Sequence, residues 1–241
     1  MMLPMLPDFA VRLAAGLAGL LLLTPWRVVP PAFFRTHCLV MLGLLVLAAL
    51  FLPGGAGFGL VVAGAVLAYV ASIGWGLGVR RIGAPATFGV LLLGAAVLIG
   101  GSPPLAAGIR LASAFLMGAT LSAMLLGHHY LTAPAMSITP LNRFISLMAL
   151  ALVLRVVSEA PGVAAGLSVR PGSGSPEPLF LAMRWGIGLL GTGVATALAW
   201  QTARIRSTQS ATGILYIAMT FVLVGELTGM VLDRDMALVS R

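Results

Sequence analysis

The sequence predicts an all-α, polytopic transmembrane helical bundle, and three observations carry that prediction. Only 20 of 241 residues are charged, against about a quarter in an ordinary soluble domain. Hydrophobic residues make up 60% of the chain, with a mean hydropathy of +1.08. The charges stand mostly at the ends of long apolar runs, and a bilayer core of about 30 Å needs roughly 20 such residues per helix.

Runs of that length occur at 8–24, 36–52, 56–77, 86–100, 105–127, 141–158, 179–200 and 211–232. The breaks between them hold Pro25, Pro30-Pro31, Pro53-Gly54-Gly55, Pro85, Pro103-Pro104, Pro134, Pro140 and the stretch from Pro171 to Pro178. Eight spans is the best count. The fourth run is short and glycine-bounded, and seven spans follow if it does not cross. Asp8 before Arg12, and the missing basic leader and cleavage site, argue against a secretory signal and for a retained first helix. Residues 1–241 read as a single integral membrane domain. The longest loop, 160–178, is rich in Gly, Ser and Pro and is expected to be a flexible exterior hairpin.

Orientation is read from arginine, because all 14 cationic side chains are arginine, a bias that a GC-rich genome explains most simply. Arg27, Arg35, Arg80, Arg81, Arg143, Arg204 and Arg206 fall in the loops after odd-numbered spans, which makes that face cytoplasmic and both termini periplasmic or exterior. Trp26, Trp75, Tyr130 and Trp200 fall at the same face, where an aromatic belt is expected. The expected location is a cell inner membrane, multi-pass. Arginines scattered over short loops suit anionic lipid heads rather than nucleic acid, so the bilayer and other membrane-protein subunits are the expected partners. No clear repeat stands out, although the loops after the third, fifth and seventh runs share a loose order of aromatic, then polar or basic, then small residues. Gly186-Ile187-Gly188-Leu189-Leu190-Gly191 has the letters of a dinucleotide fingerprint, but it lies inside an apolar span and reads as close helix packing.

Three groups of residues are candidates for chemistry. His128 and His129 close the fifth run, and His37 opens the second at a similar expected depth on the same face. Neutral imidazole ligates haem iron and transition metals, so haem b or another metal is one reading, and plain interfacial hydrogen bonding is the other. Adjacent helical residues diverge by about 100°, so only one of the pair could face His37 unless the helix has ended there. Toward the opposite face, Arg155 and Glu159 are spaced to share a helix face. Glu226 lies inside the eighth run, and Arg110 and Arg184 enter the fifth and seventh. Ionisable groups within a span are costly and must be compensated, so this set reads as a quinone, proton or anion site, or else as a structural ion-pair network. Arg204, Arg206 and Ser207 before the last run form a third group, suited to a lipid or phosphate contact or simply to anchoring.

No zinc-protease, P-loop, prenyl-transfer or nucleophile-elbow motif occurs, and the single cysteine, Cys38, allows no internal disulfide. Self-contained enzyme chemistry is therefore not expected. The expected function is a membrane subunit serving a redox or respiratory complex, with haem b or a quinone as its cofactor. The alternatives are a small-solute or proton-coupled transporter, and a purely structural or assembly subunit.

Overall fold

The computed structural model describes residues 4–132, 136–164 and 178–239, with side chains over 4–131, 136–159 and 179–232. The described residues form eight helices long and apolar enough to cross a membrane. They are α1 (Met5–Leu23), α2 (Pro31–Phe51), α3 (Ala56–Gly76), α4 (Arg80–Ile99), α5 (Pro104–Thr132), α6 (Thr139–Ala164), α7 (Leu179–Arg204) and α8 (Thr208–Val239). Prolines set several starts: Pro31 and Pro104 occupy first helical positions, where the missing N–H has no partner to lose. Side chains such as Leu50, Val66, Val153 and Leu190 point outward from the bundle, as apolar residues do where lipid replaces water.

The fourth span is firmer than its flanking sequence implies. α4 begins at Arg80 and carries Pro85 within it, and its mean hydropathy of 2.2 exceeds that of every other span. Pro85 interrupts the backbone hydrogen bonding of α4 close to its start, and membrane helices tolerate such an interruption where neighbours re-satisfy the freed groups. Other boundaries also move, among them the start of α2 at Pro31 and the end of α8 at Val239. α5 continues past the histidines to Thr132, and α6 runs on to Ala164, so that only 165–177 of the expected loop lies outside the described residues. Trp75 and Tyr130 are not belt residues. Trp75 is buried, stacks on Phe34 with ring centroids 4.3 Å apart and donates to Thr87 Oγ1 at 3.1 Å. Tyr130 is buried and donates to the Ser137 carbonyl at 2.5 Å. Trp26 and Trp200 remain exposed.

The helices pack as two units with the same order of neighbours. In the first, α1 touches α2 and α4, α2 touches α3, and α3 touches α4. In the second, α5 touches α6 and α8, α6 touches α7, and α7 touches α8. The units meet chiefly along α1 and α5, where Gly16 lies against Ala114 and Gly118 so closely that a Cβ on either glycine would strike backbone.

The equivalence reaches individual hydrogen bonds. The α3–α4 turn closes with Leu77 N–H to Ile73, Gly78 N–H to Trp75, and Val79 N–H to Gly74. The α7–α8 turn repeats all three at one constant offset: Ile205 to Gln201, Arg206 to Ala203, and Ser207 to Thr202. Both are helix C-caps of the Schellman kind, which need a left-handed residue, here Gly78 at φ +71° and Arg206 at φ +57°. At the same offset the buried positions Gly83, Thr87, Val90, Gly94, Val97 and Leu98 of α4 correspond to Ala211, Leu215, Ala218, Val222, Gly225 and Glu226 of α8, all buried. The repeat that composition obscures is thus visible in the backbone, and Glu226 stands where the first unit has a leucine.

Candidate functional site

The buried charges converge at one end of the bundle, the end from which α1 starts. Asp8 and Arg12 sit one turn apart on α1, and Asp8 Oδ2 takes a hydrogen bond from Arg12 Nη2 at 2.6 Å. Arg12 Nη1 donates to Ser113 Oγ of α5 at 3.3 Å, and the Ser113 hydroxyl donates to Glu226 Oε2 of α8 at 2.5 Å. From α6, Arg155 grips the same carboxylate with two donors, Nε to Oε1 at 2.7 Å and Nη2 to Oε2 at 3.2 Å. This bidentate fork is the strongest carboxylate contact a guanidinium makes. Arg155 Nη1 pairs with Glu159 one turn on, and Arg184 of α7 pairs with Glu159 as well.

The chain of contacts, Asp8–Arg12–Ser113–Glu226–Arg155–Glu159–Arg184, crosses five spans and balances three cations with three anions. Arg155 is 2% exposed and Glu226 3%, depths at which an unpaired charge would cost several kcal/mol. Neutrality and close hydrogen bonding are what make them tolerable there.

Local backbone geometry places these groups. Residues Met183–Gly191 of α7 form a π-helical stretch that contains Arg184. Such wide turns are rare and collect at functional sites. Gly188 of this stretch meets Gly225 of α8, and a Cβ on either would lie 2.4 Å from the other's Cα. That approach brings α8 close enough for the next residue, Glu226, to enter the network. Gly229 leaves room for the Arg184 guanidinium, whose Cζ would be 3.2 Å from an added Cβ. A cavity of about 10 Å³ lies among Arg155, Arg184, Gly188, Leu189, Gly225 and Glu226, which is the lower limit for one water. Two buried atoms of the network, Asp8 Oδ1 and Arg12 Nε, have no hydrogen-bond partner among the described residues.

Of the five residues expected on this face, Arg155, Glu159, Arg184 and Glu226 come together. Arg110 turns away, donating to the Leu98 carbonyl at 3.3 Å and to Ser102 Oγ at 2.8 Å. It is the counterpart of Arg12: Val11-Arg12-Leu13-Ala14 resembles Ile109-Arg110-Leu111-Ala112, and each arginine reaches from one unit onto the other. Asp8, Arg12 and Ser113 were not among the expected site residues. The Asp8–Arg12 spacing carried the same signal as Arg155–Glu159, whereas nothing in the sequence singles out Ser113.

His37 and His128 have different neighbours. His37 lies almost two turns into α2 and is fully buried. Its Nδ1 is 2.9 Å from the Phe33 carbonyl, and its ring lies 4.0 Å from that of Phe33. Because a carbonyl only accepts, Nδ1 carries the proton, and Nε2 is left as a lone pair with no hydrogen-bond partner among the described residues. His128 is exposed, with Nδ1 3.4 Å from the Tyr216 hydroxyl of α8. Since α5 remains helical through both residues, His128 and His129 diverge rather than converge. Among the described residues no group of three or more His, Cys, Asp or Glu could hold a metal. Arg204 and Arg206 are exposed, and Ser207 Oγ donates to Ser210 Oγ at 2.9 Å. No protein-family model matches this chain, and neither a curated protein nor a solved structure shows significant similarity to it.

Proposed function

We propose that the protein is a transporter of a small solute, proton-coupled through Glu226, in the inner membrane of a bacterium. The observation that carries this reading is the buried, charge-neutral network centred on Glu226, which ties α1 and α5 to α6, α7 and α8. A carboxylate held by an arginine fork and a serine can exchange its proton only when those partners move. Proton loading is thereby tied to a rearrangement of the helices that supply them. Two further features support the reading. Parallel repeats of helical units are a recurrent transporter architecture, and the two four-helix units approach each other closely at Gly16 and Gly118 of α1 and α5. The π-helical stretch of α7 adds a backbone irregularity next to the charged cavity.

Proteoliposomes under an inward proton gradient, offered a mixture of amino acids, sugars and organic acids, test this reading. Mass spectrometry of the lumen should find at least one solute accumulated by the wild type and not by Glu226→Gln. Accumulation no greater than in empty liposomes, or equal in both proteins, would exclude proton coupling at Glu226.

The redox reading rests on a different observation. The bare Nε2 of His37 has the tautomer of a metal-ligating imidazole, so a membrane subunit carrying haem b and serving a respiratory complex is the second proposal. A Soret band lost in His37→Ala would favour the haem reading over transport.

A further inference from the structure

The opposite end of the bundle carries a second, unassigned site. Arg27 follows α1 and Arg80 opens α4, yet both guanidinium groups converge on the exposed ring of Trp26, at 5.1 Å and 4.7 Å from its centroid. Beside them a pocket of about 420 Å³ is lined by Trp26, Arg27, Pro31, Phe34, Trp75 and Arg80. Arg35 lies one turn along α2, its aliphatic stem against Gly76. Helices α2 and α4 both begin here, and neither N-terminus is capped by a side chain. Each therefore adds a positive dipole end to the cluster.

Among the described residues this positive charge has no acidic partner. Every acid with a described side chain (Asp8, Glu159 and Glu226) is bound into the network at the other end. Among the described residues no ion pair is made by Arg27, Arg35 or Arg80. Guanidinium groups stacked on one ring repel each other, and a shared anion removes that repulsion. Large apolar side chains, Leu23, Val28, Leu77 and Ile82, are exposed in and beside the two turns. An occupant with a charged head and hydrocarbon tails matches both the pocket and these side chains.

We propose that the pocket between the α1–α2 and α3–α4 turns binds the phosphate headgroup of an anionic phospholipid. Arg27 and Arg80 are its ligands, and Trp26 is the platform that holds them. The site differs from general anchoring by arginine because it is a defined pocket in one of the two units. Arg204 and Arg206 lie in the equivalent turn of the other unit and supply the control.

Native mass spectrometry of the full chain, released from neutral detergent after titration with phosphatidylglycerol or phosphatidylcholine, provides the test. The wild type should retain one phosphatidylglycerol, preferred over phosphatidylcholine by about thirtyfold, the scale expected of two arginines at about 1 kcal/mol each at an anionic surface. The preference should vanish in Arg27→Ala/Arg80→Ala, fall in Trp26→Leu, and persist in Arg204→Ala/Arg206→Ala. Equal loss in the two arginine pairs would overturn the proposal in favour of net charge alone. Displacement of the bound lipid by millimolar inorganic phosphate would overturn the lipid as the source and leave a soluble phosphate as the ligand.

Discussion

The two ends of this bundle solve the problem of charge in opposite ways. At one end Arg12, Arg155 and Arg184 are buried, and each is matched to a carboxylate. At the other, Arg27, Arg35, Arg80, Arg204 and Arg206 are exposed, and no acid with a described side chain reaches them. A charge taken out of water needs a partner at hydrogen-bond distance, because the interior screens it poorly. A charge at the headgroup level has water and anionic lipid as partners, and needs nothing from the protein. One end is therefore internally neutral, while the other is cationic and open to a ligand from outside.

The largest effect should come from breaking the neutral end. Arg155→Met strands Glu226 and leaves Glu159 with one cation fewer, and should cost about 3–5 kcal/mol, the range for unpairing a buried charge. Thermal unfolding in detergent would show it as a large fall in midpoint. Arg155→Met/Glu226→Met, which removes both members of the fork, should recover much of that loss. A single variant that melts like the wild type would mean that the pairing is not what holds this end.

A smaller loss is expected where the backbones touch. Gly188→Ala drives a methyl into Gly225 and should cost about 1–3 kcal/mol, as overpacking does, with misplacement of Glu226 as a consequence. Gly186→Ala, on the open side of the same stretch with nothing within 4 Å, should be neutral or slightly stabilising. Comparing the two melting midpoints separates close approach from helix propensity.

The turn equivalence predicts a modest gain. Arg206 is in the left-handed conformation that Gly78 adopts in the matching turn. Arg206→Gly should raise stability by about 1 kcal/mol, the penalty for a side chain in that conformation, while Gly78→Ala should lower it. Opposite shifts in the two midpoints would support the equivalence, and a loss in both would break it.

The smallest effect belongs to the cationic end. Arg27→Ala removes an exposed side chain with no ion pair and should stay within about 0.5 kcal/mol of wild type in chemical or thermal melts. A large loss there would erase the contrast between the ends, since it would show that this arginine too is held by the protein.

Much of the fold was legible because span length and hydropathy follow directly from bilayer thickness. The eight runs correspond one for one to the eight helices, and the boundaries that moved include those at Pro85, at the histidines and at the end of α8. Pro85 read as a stop because proline breaks helices in water, yet α4 carries it. Part of the site was legible for a related reason: Arg155, Glu159, Arg184 and Glu226 are ionisable residues in apolar segments, and such residues must meet something. Ser113 was not legible, because a serine in an apolar run is ordinary and only its distance to Glu226 marks it. For the histidines only depth was legible. Similar depth on two helices says nothing about direction, and His37 and His128 turned out to face different neighbours.

By itself the sequence determined that this chain spans a membrane, how often it does so, and which charges had to be reconciled there. Those properties follow from transfer free energies, which add along the chain. Only the tertiary structure decided which charges pair, that Gly188 and Gly225 bring α7 and α8 together, and that two four-helix units share a turn, a buried register and a reciprocal arginine. These depend on the direction in which each side chain leaves its helix and on how closely backbones approach, and composition carries neither.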